Sequence, residues 1–460
     1  MDVTTQDYQH SFNQTKECGQ TAEILSGLAI THLIEKIRQK RRYFIMLNAK
    51  QEEIVIVGAA RTPVGAYLGD LKTVPVEVLG EIALKEAVKR SNLEVSDIDE
   101  VIVGHVTGTQ TTNNLGNIIA INSGLDNRST GMTINRICGS GIQSAVSATL
   151  ELLHSNKKII AAGGAESLSR APFFLPESVR YEGFKAGNQV LIDANLEGHS
   201  SASGRDSGIQ HMGNTAENVV RKYGIPREKQ DQFAVDSQAK AAEAMENGRF
   251  AQEIVPVEIV GRKGQVTVVE KDGHPRPGTT LESLAKLRPA FEKDGTVTAG
   301  NASGLNDGAA FEIFTTQSLA EEKGLEVMAR VVDYQISGCA PETMGLGPVF
   351  AIREMLERQG MDLVKDIDIL EINEAFAGQT IGCLIELGID MDTEYYQNNF
   401  NPHGGAVALG HPLGMSGARI ITSLLYEFKN NPDKRYAIAS ACIGGGQGIA
   451  LLLENGYYKG

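Results

Sequence analysis

The stretch NRICGSGIQSAVSATLELLHSNKKIIAAGGAES, residues 135–167, decides how the chain folds. Its middle carries Ile142, Val146, Thr149 and Leu153 at helical spacing. Its end, IIAAGGAES (159–167), is an unbroken apolar run of the kind that is buried on both faces of a sheet. A helix leading into such a strand is the mark of an α/β protein. Cys138 stands on a glycine-rich strand-to-helix turn just ahead of that helix. Small neighbours let its thiol project, and the free N–H groups of a helix N-terminus favour thiolate over thiol. The competing reading is a buried structural cysteine.

Working outward, IVIVGAA (54–60) and VIVGHV (101–106) read as further buried strands, and VEVLGEIALKEAVKR (76–90) as a helix. The C-terminal part repeats the style in IDILEINEAFAG (367–378), ARIITSLLYEFK (418–429), YAIASACIGGGQG (436–448) and IALLLE (449–454), so two similar α/β halves are expected. Residues 171–306 between them are richer in Gly, Ser, Pro and charge and read as an insertion covering a site. The resulting division is an N-terminal half over 52–170 and 307–325, a loop domain over 171–306, and a C-terminal half over 326–460. Residues 1–51 are polar and then amphipathic; Met46 just before the first strand, and Asp2, Asp7, Glu17 and Glu23, favour a disordered tail or a mis-assigned start over a transit peptide.

Composition narrows the function. A chain of 460 residues exceeds what one core usually serves. A net charge of −14 argues against a nucleic-acid binder, so an anionic ligand must be held by local groups. Five scattered cysteines suggest neither a disulfide framework nor a zinc site, which points to a reducing, cytoplasmic setting. No apolar run is long enough to cross a bilayer, so no membrane role is expected.

Three further features carry chemistry. In NPHGGAVALGHPLGMSGARI (401–420), His411 lies in a loop of glycines and prolines. In ACIGGGQG (441–448), Cys442 ends an apolar strand and meets a glycine run whose N–H groups can converge on an anion. In EINEAFAG (371–378), Asn373 and Glu374 close a buried strand. Together with RTPVGAYLG (61–69), GGAESLSRAP (163–172), QDQFAVDSQ (230–238) and LRPAFEKDGTVTAGNASGLNDGAA (287–310), these motifs resemble the thiolase family over nearly all of residues 52–456.

The resemblance implies a thiolase fold, two βαβαβαββ halves in a five-layered αβαβα core with an inserted loop domain, assembled as a homodimer or homotetramer. It implies reversible condensation of two acetyl-CoA to acetoacetyl-CoA and CoA, by a ping-pong route through an acyl thioester on Cys138, with CoA as substrate and no cofactor or metal. His411 would take the Cys138 proton and Cys442 would be the acid or base at the methyl carbon. His411 and a water held by Asn373 would form one oxyanion site, and the N–H groups of Cys138 and Gly444 a second. Arg276, Ser283, Phe291, Ala299, Ser303 and Phe376 match CoA- or substrate-binding positions, and His211 and Met212 of QHMGNTAEN (210–218) match a short acyl pocket. The segment LEGHSSASGRDSG (196–208) departs from the family pattern and bears on chain length. The alternatives are a 3-ketoacyl-CoA thiolase of broader range in fatty-acid β-oxidation and a non-catalytic lipid carrier. A decarboxylating condensing enzyme, which uses Cys with two His, fits less well than Asn373 with Cys442.

Overall fold

The structure, a computed structural model, describes residues 52–109, 111–202 and 209–459. The extension read over 1–51, and residues 203–208 of the segment that departs from the family, lie outside the described residues.

Ile54–Arg61 shows why the strands read as continuous apolar runs. Ile54 and Ile56 enter one core and Val55 and Val57 another, so neither face of the strand meets water. The strands run in the order Ile369–Ile372, Tyr436–Ile443, Gln447–Asn455, Ala329–Gly338, Ile54–Arg61, Asn306–Thr316, Ile159–Ser167, Glu100–Gly104, Thr130–Ile134. In the N-terminal half, Glu100–Gly104 is parallel to both of its neighbours, and antiparallel pairings then lead through Asn306–Thr316 to Ile54–Arg61. The C-terminal half repeats this. Ile369–Ile372 is parallel to Tyr436–Ile443, and antiparallel pairings lead through Gln447–Asn455 to Ala329–Gly338. A parallel bridge from Leu370 to Phe400 stands where the other half has Thr130–Ile134. Among the described residues, the strands of the two halves pair only at Val55–Arg330 and Ile56–Ala329.

Helices complete five layers. Val76–Arg90 and Leu115–Ser123 cover one outer face, Gly347–Gln359 and Ala377–Leu387 the other. Ser140–His154 and Leu413–Asn430 lie between the two sheets in a shared core. Every residue from Leu413 to Phe428 is buried, as a helix with sheet on two sides requires. Near the end of the first central helix Leu152 is fully buried, with Leu153, expected on the apolar face, only partly covered. The two helices cross at Gly141 and Gly417. A Cβ on Gly141 would lie 2.4 Å from the Ala418 nitrogen, and one on Gly417 2.4 Å from the Ile142 nitrogen.

Residues 168–305 leave the sheet after Ser167 and return at Asn306. They include the helices Met212–Tyr223 and Arg227–Glu246 and are pinned to the core by Arg61. Its fully buried guanidinium donates to Glu253 at 2.6 Å and to both oxygens of Asp272 at 2.7 and 2.9 Å, with Phe250 packed 5.2 Å below. Glu253 also accepts from Arg249 at 2.9 Å. Burial pushes the Glu253 carboxyl up, but the two guanidinium groups outweigh it and hold the group at about 2.

Two stability predictions follow from these contacts. Gly141→Ala forces backbone apart at the helix crossing and is expected to cost about 1–3 kcal/mol, whereas Gly338→Ala, with open space around it, stays within about 0.5 kcal/mol; thermal unfolding of both variants checks this. Because the folded Glu253 titrates below its unfolded value of 4.5, its contribution is complete above about pH 4.5 and is lost as pH falls toward 2. Melting temperature between pH 5 and pH 3 should therefore fall less steeply in Glu253→Gln, which starts lower at pH 7, than in the unsubstituted protein.

Candidate active site

Cys138 is held by a compact turn. Gly139 and Ser140 N–H groups donate to the Arg136 and Ile137 carbonyls, and the Ser140 hydroxyl donates to the Ile137 carbonyl at 2.7 Å. Ile137, next to the cysteine, has φ 47°, a left-handed conformation unusual for a β-branched residue and strained by about 1–3 kcal/mol. Arg136 fastens the turn to the other half by donating to Gln447 at 2.9 Å.

The sulfur of Cys138 receives the N–H of Gly444 and its own N–H. These donors lower its pKa, yet burial dominates and pushes the thiol up to about 11. The thiolate expected from the helix N-terminus is therefore not the resting form, because the sulfur is 5% exposed and loses more hydration than two amides return.

His411 precedes the second central helix at the equivalent end. Its own N–H donates to Asn306 Oδ1 at 2.9 Å, and Gly410, with φ 95°, makes the turn where a side chain would strike Asn306. The Ser416 hydroxyl donates to the Pro412 carbonyl at 2.9 Å, so it accepts from His411 Nδ1 at 2.5 Å. That leaves His411 Nε2 without a proton, and the Asn373 side-chain amide lies 3.4 Å from it. Burial, aided by His199 and Arg419, pushes the imidazole down to about 3. The site thus holds a neutral thiol and a neutral base.

Cys442 is fully buried at the end of Tyr436–Ile443, beside Met212, Met344, Ala375 and Phe376. Burial and the neighbouring Cys138 push its thiol well up. The turn after it needs glycine at 445 and 446, where φ is 85° and 90°.

A cavity of about 330 Å³ joins these groups. Cys138, His411, His211, Met212, Phe291, Ser303 and Phe376 line it, and Asn373, Cys442 and Gly444 stand against those residues. Arg276, Ser283 and Ala299 are exposed and do not line it. Ser283 instead completes a capping box with Thr280 at the start of the short helix Leu281–Ala285, its hydroxyl accepting the Thr280 N–H at 3.1 Å and its own N–H donating to the Thr280 hydroxyl at 3.2 Å. Sequence reasoning passed over Ser416, Asn306 and Glu166 as supports, although all three lie in quoted motifs. Glu166 accepts N–H bonds from Val106, Thr107 and Gly414 at 3.0, 3.0 and 2.9 Å and pairs with His105, tying the start of the His411 helix to the N-terminal half. Asn195 and Met344 also line the cavity and had no signal of their own, and so do His199 and Leu413, which were not singled out within their segments.

Comparison with known proteins supplies the family. Residues 54–318 match the N-terminal domain of thiolase and residues 325–455 its C-terminal domain. An acetyl-CoA acetyltransferase from Syntrophomonas wolfei is 45% identical over 402 residues, covering 87% of this chain and 99% of that protein. The crystal structure of the Bacillus anthracis acetyl-CoA acetyltransferase superposes with a TM-score of 0.83 at 41% identity, over 89% of this chain and 100% of that one. Human mitochondrial 3-ketoacyl-CoA thiolase gives 0.82 at 39% identity, over 88% and 99%. With both thiolase domains matched along the chain and the expected five-layered core in place, this protein belongs to the thiolase family of acyltransferase enzymes.

Proposed function

We propose that this thiolase is an acetyl-CoA acetyltransferase, interconverting two acetyl-CoA with acetoacetyl-CoA and CoA by a ping-pong route. The observation that carries the mechanism is the His411 tautomer, with Nδ1–H committed to Ser416 and a bare Nε2 in the cavity that Cys138 also lines.

In the cleavage direction, the Cys138 sulfur attacks the 3-keto carbon as its proton passes to His411 Nε2. The N–H groups of Cys138 and Gly444, which already converge on the sulfur, stabilise the oxyanion that forms there. The bond between C2 and C3 then breaks, leaving an acetyl thioester on Cys138. The departing acetyl-CoA carbanion takes the proton of Cys442, and protonated His411 with a water held by the Asn373 amide stabilises its enolate oxygen. CoA thiol attacks the thioester, its proton restores Cys442, and His411 returns its proton to the leaving Cys138 sulfur. The raised pKa of Cys442 suits this role, since it keeps the acid loaded. The apolar walls of Met212, Phe291 and Phe376, with Ser303, suit the pantetheine arm of CoA, and exposed Arg276, Ser283 and Ala299 suit its outer part. CoA is a substrate here, and no cofactor is assigned. The likeness to a 3-ketoacyl-CoA thiolase supports a second reading of broader chain length. Among the described residues no helix is long and apolar enough to cross a membrane; cytoplasmic placement rests on the few, scattered cysteines, and a homodimeric or homotetrameric assembly on the family resemblance.

Thiolysis of acetoacetyl-CoA, followed by loss of its enolate absorbance, should proceed with the unsubstituted protein and fall by about 1,000-fold or more in Cys138→Ala. Unaltered turnover in that variant sinks the mechanism, and a rate that stays flat or rises along a series of longer 3-ketoacyl-CoA substrates selects the broader reading. A thiol held near 11 gains thiolate steadily as pH rises toward that value. Alkylation of Cys138 by iodoacetamide, read by mass spectrometry, should therefore accelerate through pH 7 to 9 without a plateau; a plateau below pH 8 would show a preformed thiolate.

A further inference from the structure

A second imidazole enters the cavity from the segment that departs from the family pattern. His199 follows the short helix Ala194–Gly198, and its carbonyl accepts the Met212 N–H at 2.9 Å. Ser200, the next residue, pairs with His211 across an antiparallel hairpin. These backbone ties hold the His199 and His211 rings side by side, centroids 6.2 Å apart and planes inclined by 19°, with Phe291 stacked on His211 at 4.9 Å.

Hydrogen bonds fix both tautomers. His199 Nδ1 lies 2.6 Å from the Asn195 carbonyl oxygen, so that nitrogen carries the proton and Nε2 is left as an acceptor. Gly213 N–H donates to His211 Nδ1 at 3.1 Å, so Nδ1 is bare and Nε2 carries the proton. Two aligned rings thus offer one acceptor and one donor, in a cavity otherwise walled by Leu196, Met212, Phe291, Met344 and Phe376. His411 and Cys138 line the same cavity as His199.

We infer that His199, together with His211, selects the acyl group by polarity: a chain bearing a hydroxyl beyond the 3-keto carbon is accepted in preference to a plain alkyl chain of the same length. A hydroxyl both donates and accepts, so it satisfies His199 Nε2 and His211 Nε2–H at once. An alkyl chain strips water from both nitrogens and returns no hydrogen bond, and sites built on such groups discriminate far more strongly than apolar pockets do. The inference rests on the thiolase reading of Cys138 and names the substrate class of that same site.

The test compares kcat/KM for thiolysis of acetoacetyl-CoA, 3-ketohexanoyl-CoA and 5-hydroxy-3-ketohexanoyl-CoA. The unsubstituted protein should cleave the hydroxylated substrate about 10-fold or more faster than the plain six-carbon one. His199→Leu, close to histidine in size, should abolish or reverse that ratio, and His199→Gln, which keeps an acceptor, should retain part of it. Equal values for the two six-carbon substrates in the unsubstituted protein overturn the inference, as does an unchanged ratio in His199→Leu; the first comparison decides the matter even if the variant does not fold. No cleavage of acetoacetyl-CoA would instead overturn the reading of Cys138.

Discussion

The contact on which the rest depends is the crossing of the two central helices at Gly141 and Gly417. Backbone packs on backbone there, because neither position leaves space for even a methyl group. Close approach lets both helices begin at the seam between the halves, which brings Cys138, just before one helix, and His411, just before the other, to the same cavity. Burial on that seam then decides the charge states. The thiol is raised and the imidazole lowered for one common reason, removal of water from the form that carries charge.

Much of the fold was legible because its strands are covered on both faces. Runs such as IVIVGAA and IIAAGGAES have no polar side, and the structure forms Ile54–Arg61 and Ile159–Ser167 there. The second central helix was less visible. It begins at Leu413, five residues before the quoted ARIITSLLYEFK, because the intervening GMSG has weak helical character and the helix is buried all round, so no polar stripe marks its start.

The site was legible where chemistry concentrates in a short motif, and illegible where residues meet only through the fold. Cys138, His411, Asn373 and Cys442 each stand out beside glycines or at a strand end. The thiolate expectation failed because a sequence displays the helix start and the glycines but not the depth of burial that outweighs them. Arg276, Ser283 and Ala299 stay outside the cavity, and nothing in their local sequence distinguishes surface from lining. His199 shows the reverse case, a residue not singled out within the segment that departs from the family pattern, which strand pairing sets beside His211.

The two halves also differ at one matching point. Where the N-terminal half opens after Ser167 to admit residues 168–305, the C-terminal half turns back within Gly444–Gly446. The short turn cannot grow, since Gly444 N–H is already spent on the Cys138 sulfur and its two neighbours sit at positive φ. The long excursion has no such duty, and it supplies most of the cavity wall that faces a substrate. Two halves of one topology thus divide labour: the half closed by its tight turn holds most of the reacting groups, and the half left open shapes what they act on.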